Sequence, residues 1–205
     1  MMGRDELANI KRRMVMVSSK WNIDASHSSL QFSVRHMVIS KVRGAFESFR
    51  GTVELDEERD GALSNIDVVI DAASIDTAEP KRDEHLRSQD FLDVATYPEL
   101  RYRSRSIERR GDRYQIQGDL TIHGVTRPVT LDAEFQGRGR DPWGGERAAF
   151  SAKTSVNRED FGLTWNQVLE AGGVLVAAKL DIDIEVQAVR AVQAEPARAG
   201  SSAAA

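Results

Sequence analysis

The sequence predicts an all-β protein, an antiparallel β-barrel of about eight strands with one or two short helices. Three observations carry this. Successive segments alternate apolar and polar residues with a period of two, which marks strands with one buried face. The polar face recurs in each of them, and sheets with one solvated face are typically antiparallel. A sheet of that many strands in a chain of 205 residues removes its exposed edges by closing on itself.

The length suits one domain, assigned to residues 19–190. Ahead of it, MMGRDELANIKRRMVMVSSK offers basic residues and then only Met14 to Val17 as an apolar run. A signal peptide's central region needs roughly 7–15 apolar residues, so residues 1–18 are expected to be a disordered extension and the protein cytoplasmic. The carboxyl end, AEPARAGSSAAA, is small, polar and aperiodic, and residues 191–205 are expected to be a disordered tail. No run approaches the roughly 20 apolar residues of a transmembrane helix.

The first strand places Leu30, Phe32, Val34, His36 and Val38 on one face, against Gln31, Ser33 and Arg35. In VRGAFESFRGTVELD the inner face runs Val42, Gly44, Phe46 and then Phe49, Gly51, Val53, Leu55, a change of phase that predicts a β-bulge near Glu47-Ser48. Further strands follow at Ile66, Val68, Ile70 and Ala72, then at Leu100 and Tyr102 opposite Arg101, Arg103 and Arg105. Two more run through Tyr114, Ile116, Gly118, Leu120 and Ile122, and through Val129, Leu131, Ala133 and Phe135. Gly137-Arg138-Gly139, ahead of Asp141-Pro142, reads as a turn. The last strand, Leu180, Ile182, Ile184 and Val186, alternates with Asp181, Asp183 and Glu185.

Two segments depart from the pattern. SIDTAEPKRDEHLRSQDFLDVATYP predicts a helix over 78–88, capped by Thr77, with Pro80 in its first turn and an Asp83–Arg87 ion pair. A further turn is expected from Asp90, ending before Tyr97-Pro98. FGLTWNQVLEAGG has neither period; its Phe161, Leu163 and Trp165 suit a loop that covers something apolar, and its glycines a turn back into the last strand.

A net charge of -4 disfavours nucleic acid and anionic membrane surfaces, which attract basic faces. The absence of cysteine excludes disulfides, thiolate nucleophiles and iron-sulfur clusters. His27, His36, His85 and His123 are scattered, with no pair at metal-clip spacing, and GxxxxGKS, GxGxxG and GxSxG are missing, so no metal and no cofactor are expected. His36 is open to two readings, a hydrogen-bonded core residue or a polar anchor in a cavity. Lys81, Arg82, Asp83 and His85 are open to three: an acid-base set, a clamp for an anionic head group, or a solvated helix face. The row of Arg101, Arg103 and Arg105 is expected to pair with acids on neighbouring strands. Carboxylates fall mostly at outward positions and form no catalytic pair, so an enzyme is not expected.

Five stretches, WNIDASHSSLQFSVRHM, GAFESFRGTVELD, SIDTAEPKRDEHLRSQDFLDVATYP, GDLTIHGVTRPVTL and FGLTWNQVLEAGG, resemble in order and spacing the YceI-like polyisoprenoid-binding proteins. The resemblance covers roughly Lys20 to Ala188. It implies an extended, lipocalin-like barrel that holds a long isoprenoid in an internal tunnel. Read with the alternation, it makes Phe32, Val34, Phe46, Ile70, Ile122 and Phe135 the tunnel lining. His36, Arg82 and His85 would meet a head group, and Phe161 and Trp165 would pack at the tunnel or its mouth.

The expected function is non-enzymatic binding, carriage or storage of a long-chain polyisoprenoid or similar amphiphilic lipid. Two alternatives stand beside it: a solid barrel that recognises a protein, and an enzyme on a hydrophobic substrate with His85 and Asp83 as acid and base. A homodimer is the default assembly, by base rate alone.

Overall fold

The computed structural model describes residues 18–37, 39–168 and 174–191. The expected extension and tail lie outside them, except for Ser18, which opens the first strand, and Ala191, whose N–H donates to the Lys20 carbonyl at 2.8 Å. Val38 and residues 169–173 also lie outside them.

Eleven strand segments build eight staves of a closed antiparallel barrel. The first stave is β1 (Ser18–Ile23) followed by β2 (Ser29–His36), the second β3 (Ser40–Phe46) and β4 (Phe49–Asp56), the third β5 (Ala62–Asp71) and β6 (Ile75–Asp76). Five unbroken strands complete it: β7 (Glu99–Arg110), β8 (Arg113–Ile122), β9 (Val125–Arg140), β10 (Glu146–Asn157) and β11 (Val176–Arg190). Each stave pairs with the next, and β11 returns to the first, pairing Trp21 with Arg190 and Ile182 with Phe32.

The three broken staves are neighbours, and their breaks lie side by side. Asp24 and Asp71 each accept from a backbone N–H two residues on, which starts a 3-10 turn in place of the next ladder bond. The expected phase change is present at Glu47-Ser48, as a two-residue gap rather than a bulge within a strand. Glu47 N–H donates to the Ser74 carbonyl at 3.1 Å, so the second and third breaks are bonded to each other.

Three sequence expectations are corrected. Gly137-Arg138-Gly139 is not a turn but part of β9, where Gly137 at φ 134° accommodates a bulge opposite Ala149 and Phe150; the chain turns at residues 141–145. The helix is α1 (Pro80–Arg87), and its N-cap is Glu79 rather than Thr77, because the Glu79 carboxylate accepts from the N–H groups of Lys81 and Arg82. The Asp83–Arg87 pair does not form. Asp83 turns inward to accept from Thr77, and Arg87 donates to the carbonyls of Ala73 (2.7 Å) and Ile75 (2.6 Å), which pins α1 to the third stave. Residues 88–97 follow as a set of turns closed by the Tyr97 N–H on the Asp93 carbonyl at 2.8 Å.

The barrel has two unlike ends. Turns at 57–61, 111–112 and 141–145 mark one, where Phe150 packs edge to face with Tyr114 and at a tilt with Phe135, ring centroids 6.4 and 5.3 Å away. At the other, α1, the β8–β9 turn and the segment after β10 gather with the β2–β3 connection. On the inner face Gly118 has no side chain because the Tyr102 ring lies there; a Cβ would stand 2.5 Å from it. The Tyr102 hydroxyl donates to the Ile116 carbonyl at 3.1 Å, and burial pushes its phenol above its ordinary value. Outside, two of the arginine row pair across strands as expected, Arg103 with Asp67 (2.7 Å) and Arg105 with Asp119 (2.6 Å), while Arg101 takes Glu99 of its own strand (3.0 Å).

Candidate functional site

Every stave points apolar side chains into one interior cavity of about 510 Å³. Alternation explains why: with most charged residues on the outward face of each strand, the inward face is left mainly with aliphatic and aromatic groups. Leu30, Val53, Ile66, Leu120, Leu131 and Ile184 are representative of the wall. Among the described residues, aspartate and glutamate are missing from the lining. Its cationic groups are Lys81, Arg82 and Arg158, joined by the imidazoles of His36 and His85, all at the end that α1 covers.

Of the residues read from the sequence, Phe32, Val34, His36, Phe46, Ile70, Arg82, His85, Ile122 and Trp165 line this cavity. Phe135 and Phe161 do not. Phe135 sits past the cavity, near the end marked by the turn at 141–145, against Phe150, with which it pairs in the ladder. Phe161, 1% exposed, closes a 3-10 turn (Arg158–Phe161) and is ordinary core.

At the covered end the polar groups are tied together. Thr77, buried, gives its hydroxyl to Asp83 and receives Arg82 Nε at 2.7 Å, while Arg82 also donates to the Thr77 carbonyl at 2.8 Å. His85, one turn further along the helix from Arg82, has Nε2 2.8 Å from Asp90. Asp83 and His85 are therefore held by different partners, and the acid-base set considered from the sequence is not assembled. The His85 ring meets Trp165 and Phe91 edge-on, with centroids 4.7 and 5.1 Å away, forming an aromatic collar.

Arg158 stands on the opposite side of that end. Its side chain is 3% exposed and donates to three backbone carbonyls, those of Leu163, Val176 and Ala177. Burial pulls its guanidinium below the ordinary arginine value, with only Glu159, 3.9 Å away, acting against that. Asn166 completes the arrangement by bonding both the N–H and the carbonyl of Val176. The segment that carries Trp165 is thus clamped onto the start of β11. Among the described residues no group of three or more potential metal-ligating side chains occurs.

Residues 21–188 match the family model of the YceI-like domain. The chain belongs to the YceI-like family. Protein YceI of Salmonella newport (strain SL254) is 41% identical over 150 residues, spanning 72% of this chain and 78% of that protein. Among solved structures, the Campylobacter jejuni YCEI protein is 28% identical with a TM-score of 0.66, covering 77% of this chain and 90% of its own. A polyisoprenoid binding domain from Saccharophagus degradans, 15% identical, shares the fold with a TM-score of 0.63, covering 83% and 98%.

Arg158 escaped the sequence reading, and so did Leu86 and Phe91, which also line the cavity. A lone arginine in NREDF carries no local signal; its burial depends on carbonyls up to 19 positions away. Because the guanidinium satisfies several carbonyls at once, Arg158→Ala is expected to cost about 3 kcal/mol. It is also expected to loosen the Trp165 segment, so that proteolysis cuts near it before the barrel unfolds. Denaturant titration together with limited proteolysis checks this; a loss under about 0.5 kcal/mol would show the clamp to be unimportant.

Proposed function

We propose that the protein binds a long-chain polyisoprenoid or similar amphiphilic lipid in its interior, as a carrier or reservoir and without covalent chemistry. One observation carries this reading: the closed barrel keeps a large apolar cavity whose charged lining is cationic and confined to one end. An apolar chain is held by burial, at about 0.8 kcal/mol per CH₂, so an isoprene unit contributes on the order of 3 kcal/mol before losses. A polar or anionic head group suits Lys81, Arg82 and His36, which face no competing carboxylate among the described lining residues. That a polyisoprenoid binding domain shares this fold supports the ligand class.

The cavity weighs against a solid interaction barrel. Separation of Asp83 from His85 weighs against the hydrolytic alternative. Trp165 lies in the lining and offers the assay. Titration with a polyprenyl phosphate is expected to change its fluorescence saturably, and Trp165→Phe to remove most of that signal. A linear, unsaturable response would contradict the proposal.

A further inference from the structure

We infer that the protein docks on anionic lipid bilayers with the covered end of its barrel, through the β2–β3 hairpin. Five large apolar residues are conspicuously exposed among the described residues, and four of them, Met37, Ile39, Val168 and Val174, gather at this end. Ile39 and Val168 are 84% and 85% exposed. They stand on two adjacent tips that are bonded together: Met37 N–H donates to the Leu175 carbonyl at 2.9 Å, and Val168 bridges Val174. Exposed apolar side chains gathered at one end suit insertion at a lipid interface.

Charge points to the same partner. From Ala25 to Phe46 the chain has no aspartate or glutamate, while Arg35, Lys41 and Arg43 are exposed. Arg35 is directly opposite Lys41 in the ladder, a like-charge pair that destabilises a hairpin unless an anion lies over it. Neither Arg35 nor Arg43 has a carboxylate within 4.0 Å among the described residues. The nearest stave faces the hairpin with Asp181 and Asp183, but Asp181 is shared by Lys41 and Lys179, each at 3.3 Å, and Asp183 is held by Lys153 at 3.2 Å. This surplus is local, on a chain whose net charge is -4.

The same hairpin carries His36, which lines the cavity and pairs with Ser40 three positions before the apolar tip ends its turn. Docking would set the cavity's polar end against the bilayer. The docking inference rests on the hairpin; only its use, moving a lipid between cavity and membrane, rests on the proposed function.

Co-sedimentation of the full chain with vesicles tests it, comparing equal parts phosphatidylcholine and phosphatidylglycerol with phosphatidylcholine alone. The protein is expected to pellet with the anionic vesicles and to be released by salt. Arg35→Gln and Arg43→Gln should each weaken binding about fivefold, and Ile39→Ser about tenfold, with unchanged circular-dichroism melts. Arg35→Lys should bind as the parent does. Trp143→Ser, which removes the exposed tryptophan at the other end, should change nothing. Ile182→Glu, aimed at the cavity, should still pellet, so failure of the lipid-carrier reading and failure of docking are told apart. Equal pelleting with both compositions, or loss of binding in Trp143→Ser but not in Ile39→Ser, overturns the inference. So does no pelleting with either, which would leave an acidic protein surface as the partner of this face.

Discussion

Ile182→Glu is expected to lower affinity for a polyprenyl ligand by on the order of a hundredfold while the barrel stays folded. Ile182 points into the cavity from β11, between Phe32 of β2 and Thr154 of β10 in the ladder. A carboxyl group there has no cation in register with it. It would stay protonated because burial disfavours its charge, and it would set a polar group against the ligand's chain. Ile182→Val, which trims one methyl group, should change affinity only a few-fold. The Trp165 titration reads both variants, and equal affinity for parent and Ile182→Glu would place the ligand outside the cavity.

Trp21→Ala is expected to destabilise the fold by about 3–5 kcal/mol. Trp21 is fully buried on β1, the short strand that closes the barrel by three register pairs with β11. Its indole N–H donates to the Ser19 hydroxyl at 2.7 Å, and Ser19 in turn donates to Glu57. Glu57 also holds Arg138 at 3.2 Å and Arg190 at 3.3 Å, and both guanidiniums cover the indole, at 4.7 and 5.8 Å from the ring. The Ser19 hydrogen bond, and after it Arg138, keep the Glu57 carboxyl below its ordinary value. One side chain therefore packs the core and organises the ionic seam around it. Trp21→Phe should recover most of the loss, and urea unfolding of both variants checks the difference. A cost below about 1 kcal/mol for Trp21→Ala would mean that the seam holds without it.

What the sequence made legible was the alternation, and with it most of the cavity wall. Phe32, Val34, Ile70 and Ile122 fall where a period of two puts them, because a closed barrel makes the inward face and the apolar face the same thing. β10 was missed for a physical reason: its inward residues include Ala148, Ala152 and Thr154, too small or too polar to stand out, yet their size leaves room in the interior. β1 was too short to show a period. Phe135 keeps the inward phase of Leu131 and Ala133 but falls past the end of the cavity, against Phe150, and a period of two does not say where along a stave the cavity stops. At the covered end the sequence supplied Arg82, His85 and Trp165 but not their roles. That Arg82 binds Thr77 and His85 binds Asp90 follows from how α1 is pinned to β6, through contacts that have no period.

Native mass spectrometry of protein purified without detergent, followed by organic extraction, is the most direct measurement of whether the cavity holds a lipid. The expected result is a discrete added mass that the extract resolves to an isoprenoid or similar amphiphile, and that is absent from Ile182→Glu. A bare apo mass, together with no saturable uptake of added polyprenyl phosphate, would contradict the proposed function.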